Sequence, residues 1–365
     1  MSDFYASAKK QLNKLHIVNF LGNISIAGAV WVALLASRGF SMQQIMFAET
    51  VFHIVSLISE IPSGFFADVI GRKKCLILSC LFSMTSCLVM ILVNSYGGVV
   101  TSIGFSALSY NFASGTDAAL AYDSLKEAGK TDGYDHFSSM QSIIYRVSYG
   151  LASLSAGLAL WMGYINAEIL ALGLHAIQLG IMLTLRENAV VLKKKRTTLR
   201  QRIGDCFRES FGFLRGNREA TRLIFRNSLV GAVDTLLLFA LQDKLQGAGA
   251  SRMVLGPMLF SMYLGGVLGS IVAEKVKNIK LGRLFSITLI LVLAGAGCAF
   301  TGNPWFMTLG GCVAAFSDDL IQIRSDVALN NMVPEDSRAT LISVNSFCFS
   351  VIMIVLSPIA GIVFG

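Results

Sequence analysis

The chain is predicted to be an all-α membrane protein, a two-lobed helical bundle with about eleven transmembrane helices. Three observations predict this. Eleven apolar stretches are long enough to cross a bilayer, basic residues gather on alternate loops, and one long polar segment splits the spans six and five. Only 14% of residues are charged and 54% are apolar, with a mean hydropathy of +0.64, whereas soluble domains carry about a quarter charged residues. A bilayer core of about 30 Å takes ~20 apolar residues per helix. Stretches of that length lie at 15–36, 43–67, 75–94, 97–122, 137–161, 164–185, 220–241, 253–273, 281–300, 304–328 and 339–364. Backbone groups must be satisfied internally in lipid, and the alternating pattern of a barrel is absent, so these stretches are helices.

The first span follows Lys9, Lys10 and Lys14, as a signal peptide would, but its 22 residues exceed the apolar core of a cleaved signal. The second and third spans are joined by a tight turn, Gly64-Phe-Phe-Ala-Asp68-Val-Ile-Gly71-Arg72-Lys73-Lys74. The fourth and fifth enclose Lys126 and Lys130, and the sixth leads into the polar segment 186–219. With the N-terminus in the cytoplasm, 24 of the 30 bases fall on the inner side. Only Arg38, Lys244 and Arg252 fall outside, while Arg146, Arg226 and Arg324 lie within spans. Bases favour the cytoplasmic side, so this bias sets the orientation in the cell inner (plasma) membrane. The net charge of +8 is accounted for by insertion and contact with anionic lipids in the bilayer, and no nucleic acid is implied.

The domains divide as a six-helix N-terminal lobe at 1–185, a basic cytoplasmic linker at 186–219, and a C-terminal lobe of about five helices at 220–365. Within the linker, Lys193-Lys-Lys-Arg196 precedes Leu199, Ile203, Cys206, Phe207, Phe211 and Leu214, which share one helical face away from Arg200, Arg202, Arg208 and Arg215. That pattern fits a helix lying on the inner membrane surface, or a solvated linker helix. The lobes carry a repeat. Residues 135–161 laid on 339–365 match Ser139 with Ser343, Ser142 with Ser346, Val147 with Val351, Ser153 with Ser357, Ala156 with Ala360 and Gly157 with Gly361. The last span therefore corresponds to the fifth, which leaves 164–185 without a counterpart. The helix 12 equivalent is expected to be missing: if an apolar span follows Gly365 the chain is a truncated form, and if a stop follows, the C-terminus is expected outside.

With six spans, a basic central segment and a repeat, the Gly64–Lys74 turn resembles the loop between helices 2 and 3 of the major facilitator superfamily. That family's pattern is roughly Gly-x-x-x-Asp-Arg-x-Gly-Arg-Arg/Lys. Gly64, Asp68, Gly71, Arg72 and Lys73 match it at the same spacing, and Val69 stands where the family usually has arginine. Together with Glu60-Ile-Pro62-Ser63, and with Pro334-Glu-Asp-Ser-Arg338-Ala-Thr340 before the last span, it looks like bacterial drug-efflux members. Gly64 is expected to let another helix approach and Gly71 to permit the turn. Asp68 is expected to pair with Arg72 or to face a helix N-terminus. The resemblance implies that this contact is a conformational latch between the halves. Two features depart from the drug antiporters. The fifth span, Gly150-Leu-Ala-Ser-Leu-Ser-Ala-Gly157, has no proline, and the second-half counterpart of the turn has Ala273 where the acid would be.

Ionisable groups within spans need a partner, a wet cavity or a route to the interface. Glu49, His53 and Glu60 fall within about 40° of one another around the second span, with Glu49 and Glu60 about 16 Å apart along it. The stripe is expected to pass protons, or Glu49 is simply solvated near the outer interface. Asp117 and Arg146 have similar depth and are expected to pair, while Arg226 and Arg324 snorkel to the inner interface. Asp234, Asp318 and Asp319 lie on the seventh and tenth spans. The resemblance implies that spans one, four, seven and ten line the cavity, which makes these acids candidates for binding a proton, a cation or the substrate. Asn19, Asn23, Tyr110 and Asn111 add polar positions, equally explained by helix packing. Ala128-Gly-Lys-Thr131 ends like a phosphate loop, but its first glycine would be Ser124. The seven cysteines form no C-x-x-C pair, and His16, His53, His136 and His175 have no ligand spacing, so neither metal nor cofactor is implied.

The chain is therefore expected to be a monomeric secondary active transporter and no enzyme. The leading reading is proton-coupled export of a lipophilic or cationic small-molecule substrate by alternating access. The alternatives are a metabolite importer or uniporter, and a non-transporting receptor or scaffold with the same fold.

Overall fold

The computed structural model describes residues 2–187, 198–332 and 338–365. Among these residues the secondary structure is helical, and no strand forms. The first span is three pieces, α1 (Ser2–Asn23), α2 (Ile26–Ala29) and α3 (Trp31–Ser37). The second and third are α4 (Met42–Ile70) and α5 (Arg72–Leu92). The fourth is α6 (Tyr96–Ala113) with α7 (Thr116–Glu127), and the fifth is α8 (Tyr134–Leu154) with α9 (Ala156–Met162). α10 (Tyr164–Leu183) precedes the linker helix α11 (Leu199–Gly216). The remaining spans are α12 (Arg218–Gly247), α13 (Arg252–Lys275), α14 (Leu281–Cys298), α15 (Pro304–Met332) and α16 (Arg338–Phe364).

Eight of the described helices are long and apolar enough to cross a membrane, and α8 with α9, bent by 51°, makes a ninth. They account for every expected span except the first and fourth, which are broken instead of continuous. Side-chain hydrogen bonds mark the first break and a left-handed glycine the second. Asn23 Nδ2 turns back to the Asn19 carbonyl at 2.8 Å, and Ser25 Oγ accepts from the Gly28 N–H where α2 begins. Gly115, with φ of 70°, ends the run after α6. Such side-chain bonds offer the backbone an alternative to the helical ladder. The outer surface is apolar, and Trp161, Leu92, Trp305 and Ile362 each expose 70% or more of their area. A multi-pass protein shows lipid such a surface.

The chain forms two compact units. The first takes in Met1–Ala29, Ile54–Ala152 and Met162–Ile203, and the second takes in Val30–His53, Ser153–Trp161 and Gly204–Gly365. Division by packing thus differs from division by chain order, because short stretches of the first, second and fifth spans pack with 204–365. In the first unit, α5 lies along α6 through a ladder of serines. Ser79 and Ser83 meet Ser109 at 3.2 and 2.6 Å, and Ser86 meets Ser102 and Ser106 at 2.8 Å. Small hydroxyl residues bring helices close without leaving a polar group unpaired in lipid. Below this ladder, Leu15, Leu76, Leu120, Phe137 and Met182 form a buried core.

In the second unit, glycines replace serines. A Cβ at Gly265 or Gly269 on α13 would collide with the Cys312 or Phe316 carbonyl of α15, and one at Gly295 on α14 would meet Gly310. α15 is therefore held at backbone distance by two neighbours. Glycines do the same where the other segments join this unit: Gly157 meets the Arg252 carbonyl and Gly256 the Leu154 carbonyl. Ala33 N–H donates to Gln242 Oε1 at 3.3 Å. On α11, Leu199, Ile203, Cys206 and Leu214 are half-buried and Arg200, Arg208 and Arg215 are exposed, as its pattern predicts. The Lys193–Arg196 run and Pro334–Ser337 lie outside the described residues.

Gly265→Val is expected to lower stability in detergent by about 1–3 kcal/mol, the usual range for overpacking. Gly173→Val on α10, where a Cβ meets nothing within 4 Å, is the control and should leave the melting temperature unchanged.

Candidate functional site

The turn between α4 and α5 is built on Gly71, whose φ of 105° is easy for glycine alone. Gly71 offers no cap to α5, so Glu187 from beyond α10 supplies one. Its two carboxylate oxygens accept the Arg72 and Lys73 N–H groups, each at 3.0 Å. An acid at a helix start also meets the positive end of its dipole. Arg72 then reaches across to α7, where Nη1 lies 2.6 Å from Asp123 Oδ2 and also donates to the Ala119 carbonyl. Lys73 Nζ donates to the Leu183 carbonyl and Lys14 Nζ to the Thr184 carbonyl, both at 2.8 Å, closing the end of α10. Arg72 is thus ion-paired with Asp123 of α7, which runs beside α5. Asp68 stands near Cys75, where its charge acts together with that of Glu187. Gly64 also departs from expectation. A Cβ there meets nothing within 4 Å, because this face of α4 is exposed and points away from packed neighbours.

A second polar cluster joins α1, α7 and α8. Gln141 accepts from Asn19 Nδ2 at 2.7 Å, contacts His16 Nδ1 at 3.2 Å and donates to Asp117 Oδ2 at 3.3 Å. Asn19 Oδ1 in turn accepts from Asn23 at 2.6 Å, and His16 stacks on Phe137. The partner the structure gives Asp117 is therefore Gln141, five residues before Arg146 on α8. Arg146 itself is exposed, beside the paired rings of Tyr145 and Tyr149. Asn111 is used in packing, with Nδ2 donating to Ser59 Oγ at 2.7 Å and Oδ1 accepting from Ser56 at 2.9 Å.

The expected stripe on α4 is divided. Glu49 and His53 belong to the second unit, both buried, with Oε1 and Nε2 3.2 Å apart. His53 Nδ1 lies 3.4 Å from Ser350 Oγ of α16, and its ring meets Phe52 and Phe349 edge-on. Glu60 belongs to the first unit. Burial overturns a solvated Glu49.

The third cluster is carboxylic. Asp234 on α12 and Asp318 and Asp319 on α15 interact electrostatically. The helix faces explain why they meet. Asp318 Oδ1 would be 3.1 Å from a Cβ at Gly231 of α12, and Asp319 Oδ2 would be 2.6 Å from a Cβ at Gly266 of α13. Ser270 donates to Asp319 Oδ2 at 3.5 Å. Each acid of the Asp318–Asp319 pair thus leans on a different neighbour through a glycine. The basic groups of these helices go elsewhere. Arg226 lies over the Phe285 ring at 5.0 Å, and Arg324 Nη2 donates to the Lys277 carbonyl at 2.7 Å, on the side of the basic turns.

The family model of the Major Facilitator Superfamily matches residues 15–358. The chain belongs to this superfamily. Solved transporters share its fold. The nucleoside transporter NupG has a TM-score of 0.74 at 16% identity, covering 97% of this chain and 90% of that one. A POT family transporter in complex with 5-aminolevulinic acid has a TM-score of 0.73 at 14% identity, with coverage of 97% and 90%. The D-xylose–proton symporter has a TM-score of 0.65 at 13% identity, with the same coverage. No curated protein matches the sequence. The protein is therefore a multi-pass membrane transporter of the major facilitator superfamily, and a transporter rather than an enzyme. Asp123, Glu187 and Gln141 are the polar partners that sequence reasoning missed. Asp123 and Glu187 stand just past their spans and look like ordinary solvated ends, so nothing local marks them.

Asp123→Ala leaves Arg72 without its counter-charge in a site where both side chains are largely buried. We expect a loss of about 3 kcal/mol in detergent unfolding, largely recovered when Arg72→Met is added, because a buried pair is costly to break but cheap to replace.

Proposed function

We propose that the protein is a proton-coupled secondary active transporter that exports a lipophilic or cationic small molecule by alternating access. It acts as a monomer in the inner (plasma) membrane with its N-terminus in the cytoplasm. The observation that carries the proposal is the carboxyl cluster of Asp234, Asp318 and Asp319, three acids at membrane depth between glycine-bearing helices. Carboxyls in a low-dielectric interior exchange protons or hold cations, and they seldom persist there without such a role. Asp318 is the proton-handling group, with Asp234 and Asp319 sharing its charge. The polar cluster of His16, Asn19, Asp117 and Gln141, together with Arg146, contacts the substrate. The turn of Gly64, Asp68, Gly71, Arg72 and Lys73 is the conformational latch. The Glu49–His53 pair, with Glu60 further along α4, supplies the proton route. α11 lies on the anionic inner leaflet with its arginines toward the headgroups.

Proteoliposomes with an imposed pH gradient test this reading. Substrate flux that dissipates the gradient outward supports export, and flux in the other sense supports import by the same machinery. Gradient-independent flux supports a uniporter, and binding without flux supports a receptor. Asp318→Asn is expected to abolish gradient-driven flux, by 100-fold or more on the order of the loss of an essential proton-transfer group, while substrate counterflow persists.

A further inference from the structure

We infer that the second unit holds a site for one dehydrated monovalent metal cation, formed by Asn227, Ser325 and Asn345 beneath the Asp318 carboxyl. The inference takes from the proposed function only that Asp318 is an ion-handling group. Asn227 Oδ1, Ser325 Oγ and Asn345 Oδ1, with Ser228 Oγ beside them, are buried and make no hydrogen bond within the protein. Asn227 is 7% exposed and Ser325 is 0%. For both asparagines the unmatched atom is the oxygen, so what the layer wants is a partner for acceptors. Buried polar groups are almost always satisfied, and the requirement is stricter in lipid.

The three helices place these oxygens in one layer. α12 and α15 meet where Gly231 faces Asp318 Oδ1, and Phe349 of α16 lies against the same glycine. Toward the basic turns, Ile224, Leu329, Leu341 and Val344 of the same three helices form one buried apolar cluster. Between that cluster and the Gly231 level, each helix has an unmatched oxygen on the face it shares with both. Asn227 is one turn from Gly231, Asn345 is one turn from Phe349, and Ser325 is two turns from Asp318 and one from Leu329. A rise of ~1.5 Å per residue puts the backbone of Asn227 and Asn345 each about 6 Å below the carboxyl level and that of Ser325 about 10 Å below it, and side chains that lean toward the N-terminus of each helix narrow the difference. An apolar floor, a ring of neutral oxygens and a carboxylate above describe a pocket for a hard cation.

Charge selects a monovalent ion. Amide and hydroxyl oxygens carry no net charge, so the layer itself gives a cation no anionic ligand. A divalent ion takes more anionic ligands, and among the described residues no group of three acidic, histidine or cysteine side chains has the geometry to hold one. Of the nearest bases, Arg226 lies over Phe285 and Arg324 donates through Nη2 to the Lys277 carbonyl, while Arg324 Nε is itself buried without a partner.

Purified protein is melted in detergent at roughly 100 mM NaCl, KCl or choline chloride, where a ligand bound only by the native state raises the midpoint. NaCl or KCl is expected to raise the midpoint by several degrees over choline, with saturation. Asn345→Leu, Asn227→Leu and the milder Ser325→Ala are expected to lose that difference, and equilibrium binding of radioactive sodium to the wild type gives a second readout. Equal melting of the wild type in all three salts, together with Asn→Leu variants that gain stability in each, would show the layer merely unpaired and overturn the inference. If that occurs while Asp318→Asn still abolishes pH-driven flux, the transport reading stands alone. A cation-dependent shift without pH-driven flux leaves the site standing and removes proton coupling.

Discussion

The close approach of α15 to its neighbours governs the second unit. Gly265 and Gly269 bring α13 onto the carbonyls of Cys312 and Phe316, Gly295 does the same for α14, and Gly231 makes room on α12 for Asp318. Without a hydrophobic force between helices in lipid, such contact is the main source of association. It also fixes the chemistry. Two adjacent acids on one helix point about 100° apart, and each needs a neighbour thin enough to receive it. Gly231 and Gly266 are those positions, so the residues that pack the helix are also those that seat its charges.

The first unit meets the same demand differently. α5 and α6 are joined by hydroxyls, and α1, α7 and α8 by amides around Gln141, so its close contacts are hydrogen bonds rather than bare backbone. Its charges sit at helix ends, where Glu187 and Asp123 hold the basic turn in place. A buried Arg–Asp pair stabilises little by itself. What it does supply is a defined position for α7 against α5, which a purely apolar contact would leave free to slide.

Much of this architecture was legible in the sequence, because hydropathy and charge act locally. Nine spans, the amphipathic face of α11 and the Gly71 turn follow from residues close together in the chain. Pairings across the chain did not. The ion pair of Arg72 with Asp123, on a helix 51 residues further along the chain, has no local signal. Asp117 and Arg146 looked matched by depth, while Gln141, uncharged, is the partner Asp117 finds. The three acids stand out by their place within spans and by the family resemblance, whereas the unmatched oxygens are ordinary asparagines and serines in the sequence. The breaks in the first and fourth spans were hidden for another reason. Hydropathy is continuous through Asn23-Ile24-Ser25 and Ser114-Gly115, and the interruptions come from side-chain bonding to the backbone at the first and from the positive φ of Gly115 at the second.

Those breaks acquire meaning from where the chain leaves one unit for the other. The first span changes unit between Ala29 and Val30, where α2 gives way to α3, and the fifth changes at 152–153, beside the bend after Leu154. At the first crossing the helix is already interrupted, so the backbone bends there without breaking a continuous ladder. The fifth span crosses within α8, near the end of that helix. The second crosses in mid-helix, as α4 passes unbroken from His53 to Ile54. It is also the crossing that carries a buried acid and histidine beside it, held by Ser350 and Phe349. The buried pair thus lies on α4 just before the helix passes from one unit to the other.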